Sequence, residues 1–184
     1  FGGKFKFSKL QKIIDDSEVS ITSNITRVKM RKNVTVDLNA RVNYKICYGN
    51  RINQQTDTPA VTSSGFKIVG DDLNQYYMND DGKGSLRLYY VKDTGAFEYV
   101  DGLWGSVDYT NGEIVINDLI IQSTSVIGNL LQISAIPKSN DLVSLRETYL
   151  TLGIDNTVVS VVEDTISSGS NLSGTGVVPE SSYS

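Results

Sequence analysis

Residues 34–48 read Val-Thr-Val-Asp-Leu-Asn-Ala-Arg-Val-Asn-Tyr-Lys-Ile-Cys-Tyr. Every even position is apolar or aromatic, and the odd ones hold Thr35, Asp37, Asn39, Arg41, Asn43, Lys45 and Cys47. Side chains that alternate with period two line opposite faces of a strand, so one face is expected to be buried and the other turned to water or a partner. A strand of this length would reach ~50 Å at ~3.3 Å per residue, whereas most strands run about 5 or 6 residues. The expectation is a strand that bends, bulges or crosses between two sheets, in a fold that is mainly β.

Upstream, the chain reads as strand from Thr22, and Ile25 to Lys32 alternates. Thr26, Val28, Met30 and Lys32 share one face, and Ile25, Arg27, Lys29 and Arg31 share the other. The second face is a cationic stripe. With Lys32 at its end it makes a first candidate partner surface of Arg27, Lys29, Arg31 and Lys32. Before it, Leu10, Ile13 and Ile14, with Phe7 behind them, follow helical spacing. Ser8 is the expected N-cap of that helix, and Asp15-Asp16-Ser17 its break.

Downstream, Gly49-Asn50 closes the long strand and Arg51 to Ser64 reads as a polar loop. A short strand at Phe66 to Val69 precedes a polar stretch from Asp71 to Gly82. A meander follows: Leu86 to Lys92, Ala96 to Val100, Leu103 to Tyr109 and Glu113 to Leu119, joined at Asp93-Thr94-Gly95, Asp101-Gly102 and Asn111-Gly112. Asn-Gly between alternating segments predicts a hairpin with a type I′ turn, because both residues tolerate positive φ. Leu130 to Ile136 is a further strand, closed by Pro137. Ser139-Asn140-Asp141 is placed to cap a second helix through Leu142, Leu145, Tyr149 and Leu150. Val158 to Val162 reads as a last short strand.

The fold class expected is therefore α+β, mainly β, with antiparallel sheets and a meander, about two short helices and an extended C-terminal tail. Residues 1–166 form the globular region, with a Tyr-rich meander lobe at about 62–119. Residues 167–184 are dominated by Ser, Gly, Asn and Thr. Such a composition cannot bury a core, so the tail is expected to be disordered or an arm laid on a partner.

Composition excludes much chemistry. The 184 residues contain no histidine, which removes the commonest general base and the commonest metal ligand. The single cysteine, Cys47, excludes an internal disulfide and has no imidazole to activate it. Ser-His-Asp, Cys-His and zinc-histidine sites are impossible within this chain. A calcium loop aligned on Gly82 would begin at Tyr77 and end at Leu88, where Asp and Glu are required, so Asp81-Gly82 reads as a turn. No phosphate-cradling glycine motif occurs, and Asp15/Asp16, Asp71/Asp72 and Asp80/Asp81 are chain neighbours and not facing acids. No catalytic, cofactor-binding or metal-binding residue is assigned, and an enzyme is not expected. No apolar run reaches the ~18 residues that would make a membrane-span candidate. The start at Phe1-Gly2-Gly3, with no initiator Met, is expected of a fragment or processed product. A free thiol without disulfides fits assembly in a reducing cytoplasm.

Charge is split along the chain. Residues 1–51 hold 11 Lys/Arg against 4 Asp/Glu, a net of +7, and residues 52–184 hold 6 against 17, a net of −11. The sequence pI of about 4.8 argues against a nucleic-acid partner, since the whole-molecule field repels phosphate. The asymmetry fits surfaces that meet oppositely charged neighbours.

Aromatics are concentrated as well. Tyr76, Tyr77, Tyr89, Tyr90, Phe97, Tyr99, Trp104 and Tyr109 are half of the chain's aromatic residues. Tyr89, Tyr90, Tyr99 and Trp104 make a second candidate surface, a carbohydrate or partner platform that combines apolar area with polar tips. Cross-strand packing within a small β-lobe is the plainer use of the same residues. Adjacent Tyr89 and Tyr90 must point to opposite faces of a strand.

Taken in order, Phe1-Gly2-Gly3-Lys4, Phe7-Ser8-Lys9-Leu10, Ile13-Ile14-Asp15, Ile21-Thr22-Ser23-Asn24-Ile25-Thr26 and Val28-Lys29-Met30-Arg31-Lys32 resemble the C-terminal part of baseplate wedge proteins of T-even-like contractile phages. Those proteins are relatives of the broader baseplate J-like family. Ser63-Ser64-Gly65-Phe66, Gly105 to Ile114, Pro137 to Leu142 and the Ser/Gly-rich tail agree with the resemblance. It implies a structural virion protein of the tail baseplate, assembled in the host cytoplasm. Such subunits form a homodimer or higher ring assembly and join other baseplate wedge proteins in a ring that rearranges on sheath contraction. The resemblance carries no catalytic residue and no cofactor, and neither membrane nor nucleic acid is expected as a partner. The alternative expectation is a carbohydrate-binding or adhesive β-module that uses the Tyr/Trp cluster.

Overall fold

A computed structural model describes residues 3–144 and 150–163 of the chain. Contacts group the chain into two compact units, 1–151 and 152–184. The first unit opens with β1 (Lys4–Phe5), α1 (Phe7–Asp15), β2 (Met30–Thr35) and β3 (Arg41–Cys47).

The alternating stretch at 34–48 is thus two strands and not one. Val36, Ile46 and Tyr48 are buried, and Val34, Leu38 and Tyr44 pack against the same core, so the inward face persists throughout. The chain direction changes at Asn39, whose φ is 58° and whose N–H donates to the Ile121 carbonyl at 2.7 Å. Asn enters this left-handed region more cheaply than most residues. A break that preserves the in/out alternation leaves no trace in the hydrophobic pattern.

The chain continues through β4 (Val61–Ser63), β5 (Phe66–Ile68), β6 (Asp71–Asp80), β7 (Leu86–Val91), β8 (Phe97–Val100), β9 (Gly105–Asp108), β10 (Glu113–Thr124), β11 (Leu130–Ala135) and β12 (Leu142–Val143). The large sheet runs β2-β11-β4-β6-β5-β10-β3, with β7 on β6, β8 on β7 and β9 on β10. All these pairings are antiparallel. The four strands of the expected meander stand close to where the turn residues placed them, but β8 and β9 do not pair, so they form two hairpins, β7–β8 and β9–β10, and not one meander. The fold is mainly β. Leu88, Ile114, Ile116 and Leu131 are fully buried at its centre. Each such side chain contributes ~1.5–3 kcal/mol by leaving water.

Several expectations are corrected. Asp71–Asp80, read as a polar stretch, is a ten-residue strand with Tyr76, Met78 and Asp80 turned into the core. Its polar inward residue is tolerated because distant groups satisfy it, as described below. Val61–Ser63, within the expected loop, is also a strand. Between Thr22 and Lys29 the chain is not strand, and pairing starts only at Met30. The expected alternation still holds there, with Thr26 and Val28 half-buried and Ile25, Arg27 and Lys29 exposed.

The hairpin at Asn111-Gly112 forms, but not around a two-residue I′ turn. Glu113 pairs with Asp108, so four residues close the loop, and only Gly112 among them has positive φ, 68°. The Asp108 carboxylate causes this: Oδ1 accepts the N–H groups of Thr110 and Asn111 at 3.0 and 2.9 Å. An Asp side chain that mimics a turn carbonyl reshapes the loop locally.

The helices differ too. The N-cap of α1 is Lys6 and not Ser8, and it makes no side-chain cap bond. The Phe7 N–H donates instead to Asp141 Oδ1 at 2.9 Å, a carboxylate 134 residues away. The expected second helix is replaced at its start by β12, which pairs with β1 through Phe5↔Leu142 and Lys4↔Val143. Leu145 and Tyr149 of that expected helix lie outside the described residues, as does the tail at 167–184. In the second unit the described residues hold a 3₁₀ turn at Ile154–Asn156, and Val158 to Val162 forms no strand there.

Candidate functional site

The first candidate surface, Arg27, Lys29, Arg31 and Lys32, follows helix α1 in the chain. Helix α1 carries Phe7, Leu10 and Ile14 on one side, yet none of its residues is buried. Ile13 is 66% exposed, Val19 99% and Ile25 90%. Arg27 and Lys29 extend from the unpaired segment into solvent, while Arg31 and Lys32 are half-buried within β2. In the β2–β11 register Arg31 stands opposite Ser134, and Lys32 stands opposite Ile133, on the core-side face between Met30 and Val34. The stripe proper is therefore Arg27, Lys29 and Arg31, with Lys32 on the other face, as the period-two reading implied. None of the four forms an ion pair among the described residues, whereas Arg41 pairs with Asp118 and Lys45 with Glu113. β2 is an edge of the large sheet: it pairs with β11 and with no other strand among the described residues.

The second candidate surface is divided by the sheet. Tyr89 faces outward with Tyr77, which stacks on it at 5.6 Å, and with Phe97 and Tyr99 at 5.2 and 5.6 Å between ring centroids. Tyr90 faces the other way, edge-on to Tyr76 at 5.5 Å, and Trp104 also packs against the core, its Nε1–H donating to the Val100 carbonyl at 3.0 Å. The register explains the partition: Tyr77↔Tyr89↔Tyr99 is one cross-strand row, and Tyr76↔Tyr90 is the row behind it. Tyr89 and Tyr99 thus belong to a solvent-facing aromatic surface, and Tyr90 and Trp104 do not.

Arg87 completes that outward face and was not singled out by its sequence context. Its guanidinium lies 4.6 Å from the Tyr99 ring centroid, donates from Nε to Asn79 Oδ1 at 3.0 Å and from Nη2 to the Asp80 carbonyl at 2.7 Å. Asn79 in turn donates to the Tyr99 hydroxyl at 3.3 Å. Phe97 is 61% exposed and Tyr99 42%. Burial against neighbouring rings, followed by the nearness of Tyr99 and Tyr77, raises the Tyr89 phenol above its ordinary value. Tyr77 and Phe97 stand in the aromatic cluster of the sequence, whereas Arg87 joins them only through the cross-strand register.

Elsewhere the chemistry is structural. Cys47 is half-buried and its Sγ lies 3.6 Å from Glu113 Oε1, beside the Lys45–Glu113 pair at 2.9 Å. That pair raises Lys45 and lowers Glu113, each through the hydrogen bond to the other. Gln54 to Thr58 and Gly82 line an open, polar recess of about 630 Å³. Among the described residues no group of three or more Cys, Asp or Glu side chains is placed to hold a metal ion, and no helix is long and apolar enough to cross a membrane.

A segment that leaves apolar side chains exposed also matches a known family. Residues 1–33 match baseplate structural protein gp6, C-terminal domain III. No curated protein and no solved structure matches the chain. The match spans β1, α1, the unpaired residues after it and the first residues of β2. It supports a structural protein of the phage tail baseplate, located in the virion, and with that a non-enzymatic role.

Proposed function

We propose that this chain is a baseplate wedge subunit, a relative of the J-like wedge proteins, whose work is contact. It self-associates as a dimer or within a ring and holds other wedge proteins while the baseplate rearranges on sheath contraction. One observation carries the reading. Within the family-matched residues 1–33 the fold leaves Ile13, Val19 and Ile25 exposed, and Arg27, Lys29, Arg31 and Lys32 have no ion-pair partner among the described residues. Single exposed apolar residues are ordinary, but three of them in one short segment that also carries exposed Arg27 and Lys29 suit a surface that a partner covers. Charged groups at such a surface set encounter and register more than raw affinity. The test is light scattering of the chain alone and with other wedge proteins, comparing wild type with the triple variant R27E/K29E/R31E. Impaired association by a variant with unchanged circular dichroism supports the reading, and a wild-type chain that joins neither itself nor the other proteins overturns it.

A second reading, a carbohydrate-binding or adhesive module, is favoured by the outward row Tyr77, Tyr89 and Tyr99 with Phe97 beside it. Exposed rings of this kind suit stacking against a sugar face. A glycan array probed with wild type and with F97A/Y99A decides it: ring-dependent, saturable binding supports the module, and an array without signal removes it.

A further inference from the structure

We infer that the β-branched segment Thr157–Glu163 of one copy adds as a strand to the free edge of β2 in a second copy. The inference rests on the self-association proposed above and names its mode.

The segment reads Thr-Val-Val-Ser-Val-Val-Glu, a composition suited to a strand, yet it pairs with nothing among the described residues. Its valines are 80–91% exposed. Residues 150–163 contain Asp155 and Glu163 and no Lys or Arg. An exposed run of this kind is an aggregation hazard unless a specific edge receives it.

The charges identify the receiving edge. β3 and β8 are also outer strands, each paired on one side in the large sheet. The β3 cations are matched already, Arg41 by Asp118 and Lys45 by Glu113, and β8 carries Glu98, itself paired with Lys92 at 2.8 Å. β2 alone of the three presents cations without an acid among the described residues: Arg31 and Lys32 within it, and Arg27 and Lys29 leading into it. Those cations repel a second β2, which disfavours edge-to-edge pairing of like strands, and they attract a strand that ends in Glu163 and follows the turn carrying Asp155. Lengths agree as well, six residues in β2 against seven in the segment. Main-chain ladder bonds would supply the affinity and the charges the register, as in other strand-addition contacts.

The experiment uses the full chain on a Cys47→Ser background. One tagged preparation carries Asn33→Cys or Thr35→Cys in β2, and a second, of different mass, carries Ser160→Cys. After mixing and mild oxidation, the expected product is the mixed disulfide between the two preparations. Val159→Pro with Val162→Pro should abolish that product and weaken association roughly tenfold or more, since N–H groups alternate between the two edges of a strand and one of the two prolines then removes a ladder donor. Dominance of the β2–β2 product overturns the inference. So does an intramolecular disulfide in a single chain carrying both cysteines, which would place the segment on its own β2. Association that persists unchanged in the proline variant overturns the strand-addition mode while leaving self-association standing. A wild-type chain that is monomeric alone at every concentration overturns self-association and the inference with it.

Discussion

The Tyr109 hydroxyl donates to Asp80 Oδ2 at 2.7 Å, and the other oxygen of the same buried carboxylate accepts the Val61 N–H at 2.8 Å. Three segments far apart in the chain (β4, the end of β6 and the β9–β10 loop) thus meet on one side chain that is 1% exposed. Tyr109→Phe removes a donor from a buried acceptor, which costs ~1–3 kcal/mol. Asp80→Ala leaves both donors unmet and should cost more than Tyr109→Phe. Urea unfolding measures both, and a Tyr109→Phe change within ~0.5 kcal/mol of wild type would refute this role.

Alkaline pH should loosen the core. Burial, then the bond to Asp71, pushes the Tyr76 phenol up to about 12, and burial raises Tyr48 and Tyr109 as well. A raised folded-state value means that the neutral phenol favours folding. That contribution is complete below the unfolded value of ~10 and is lost as pH rises through the folded values. Tyrosinate absorbance followed alongside circular dichroism should show exposed tyrosines ionising first, and the buried ones only together with loss of structure.

Gly112 should resist replacement far more than Gly95. Both have positive φ, 68° and 81°, but a Cβ on Gly112 would lie 2.0 Å from the Asn50 carbonyl oxygen, and one on Gly95 meets nothing within 4 Å. Gly95→Ala therefore costs only the left-handed backbone, ~1 kcal/mol, while Gly112→Ala adds displacement of the β3–β10 junction and should exceed ~2 kcal/mol. Equal losses in thermal unfolding would contradict the close-approach argument.

Two cationic sites should respond in opposite ways. Arg87→Met removes two hydrogen bonds and the contact with the Tyr99 ring, leaves Asn79 without its donor, and should destabilise by ~1–3 kcal/mol. Arg27→Glu with Lys29→Glu changes exposed side chains that make no ion pair among the described residues, and stability should stay within ~0.5 kcal/mol. Denaturant midpoints on the two variants check this directly. A large loss for Arg27→Glu/Lys29→Glu would mean that these cations serve the fold and not a partner.

What was legible in the sequence was local. Asp93-Thr94-Gly95, Asn111-Gly112 and Pro137 marked turns and ends because their backbone preferences act over a few residues, and the strands between them fell close to the expected places. Alternation at 25–48 assigned inward and outward faces, including Lys32 away from Arg27, Lys29 and Arg31. The identities of Tyr89 and Tyr90 required opposite faces. The absence of histidine removed imidazole chemistry whatever the fold.

Only the tertiary structure decided the rest, because the deciding partners lie far along the chain. Asn39 splits one alternating run into two strands only because β11 and β10 claim its two halves. Asp71–Asp80 read as a polar stretch and not as a strand because the compensation for buried Asp80 comes from Val61 and Tyr109. The helix cap passed from Ser8 to Lys6 with support from Asp141, across 134 residues. The four chosen aromatics divided into an outer row and an inner one once cross-strand register joined Tyr77 to Tyr89 and Tyr76 to Tyr90. Propensity and periodicity are properties of neighbours in sequence, whereas edges, caps and satisfied buried charges are properties of neighbours in space.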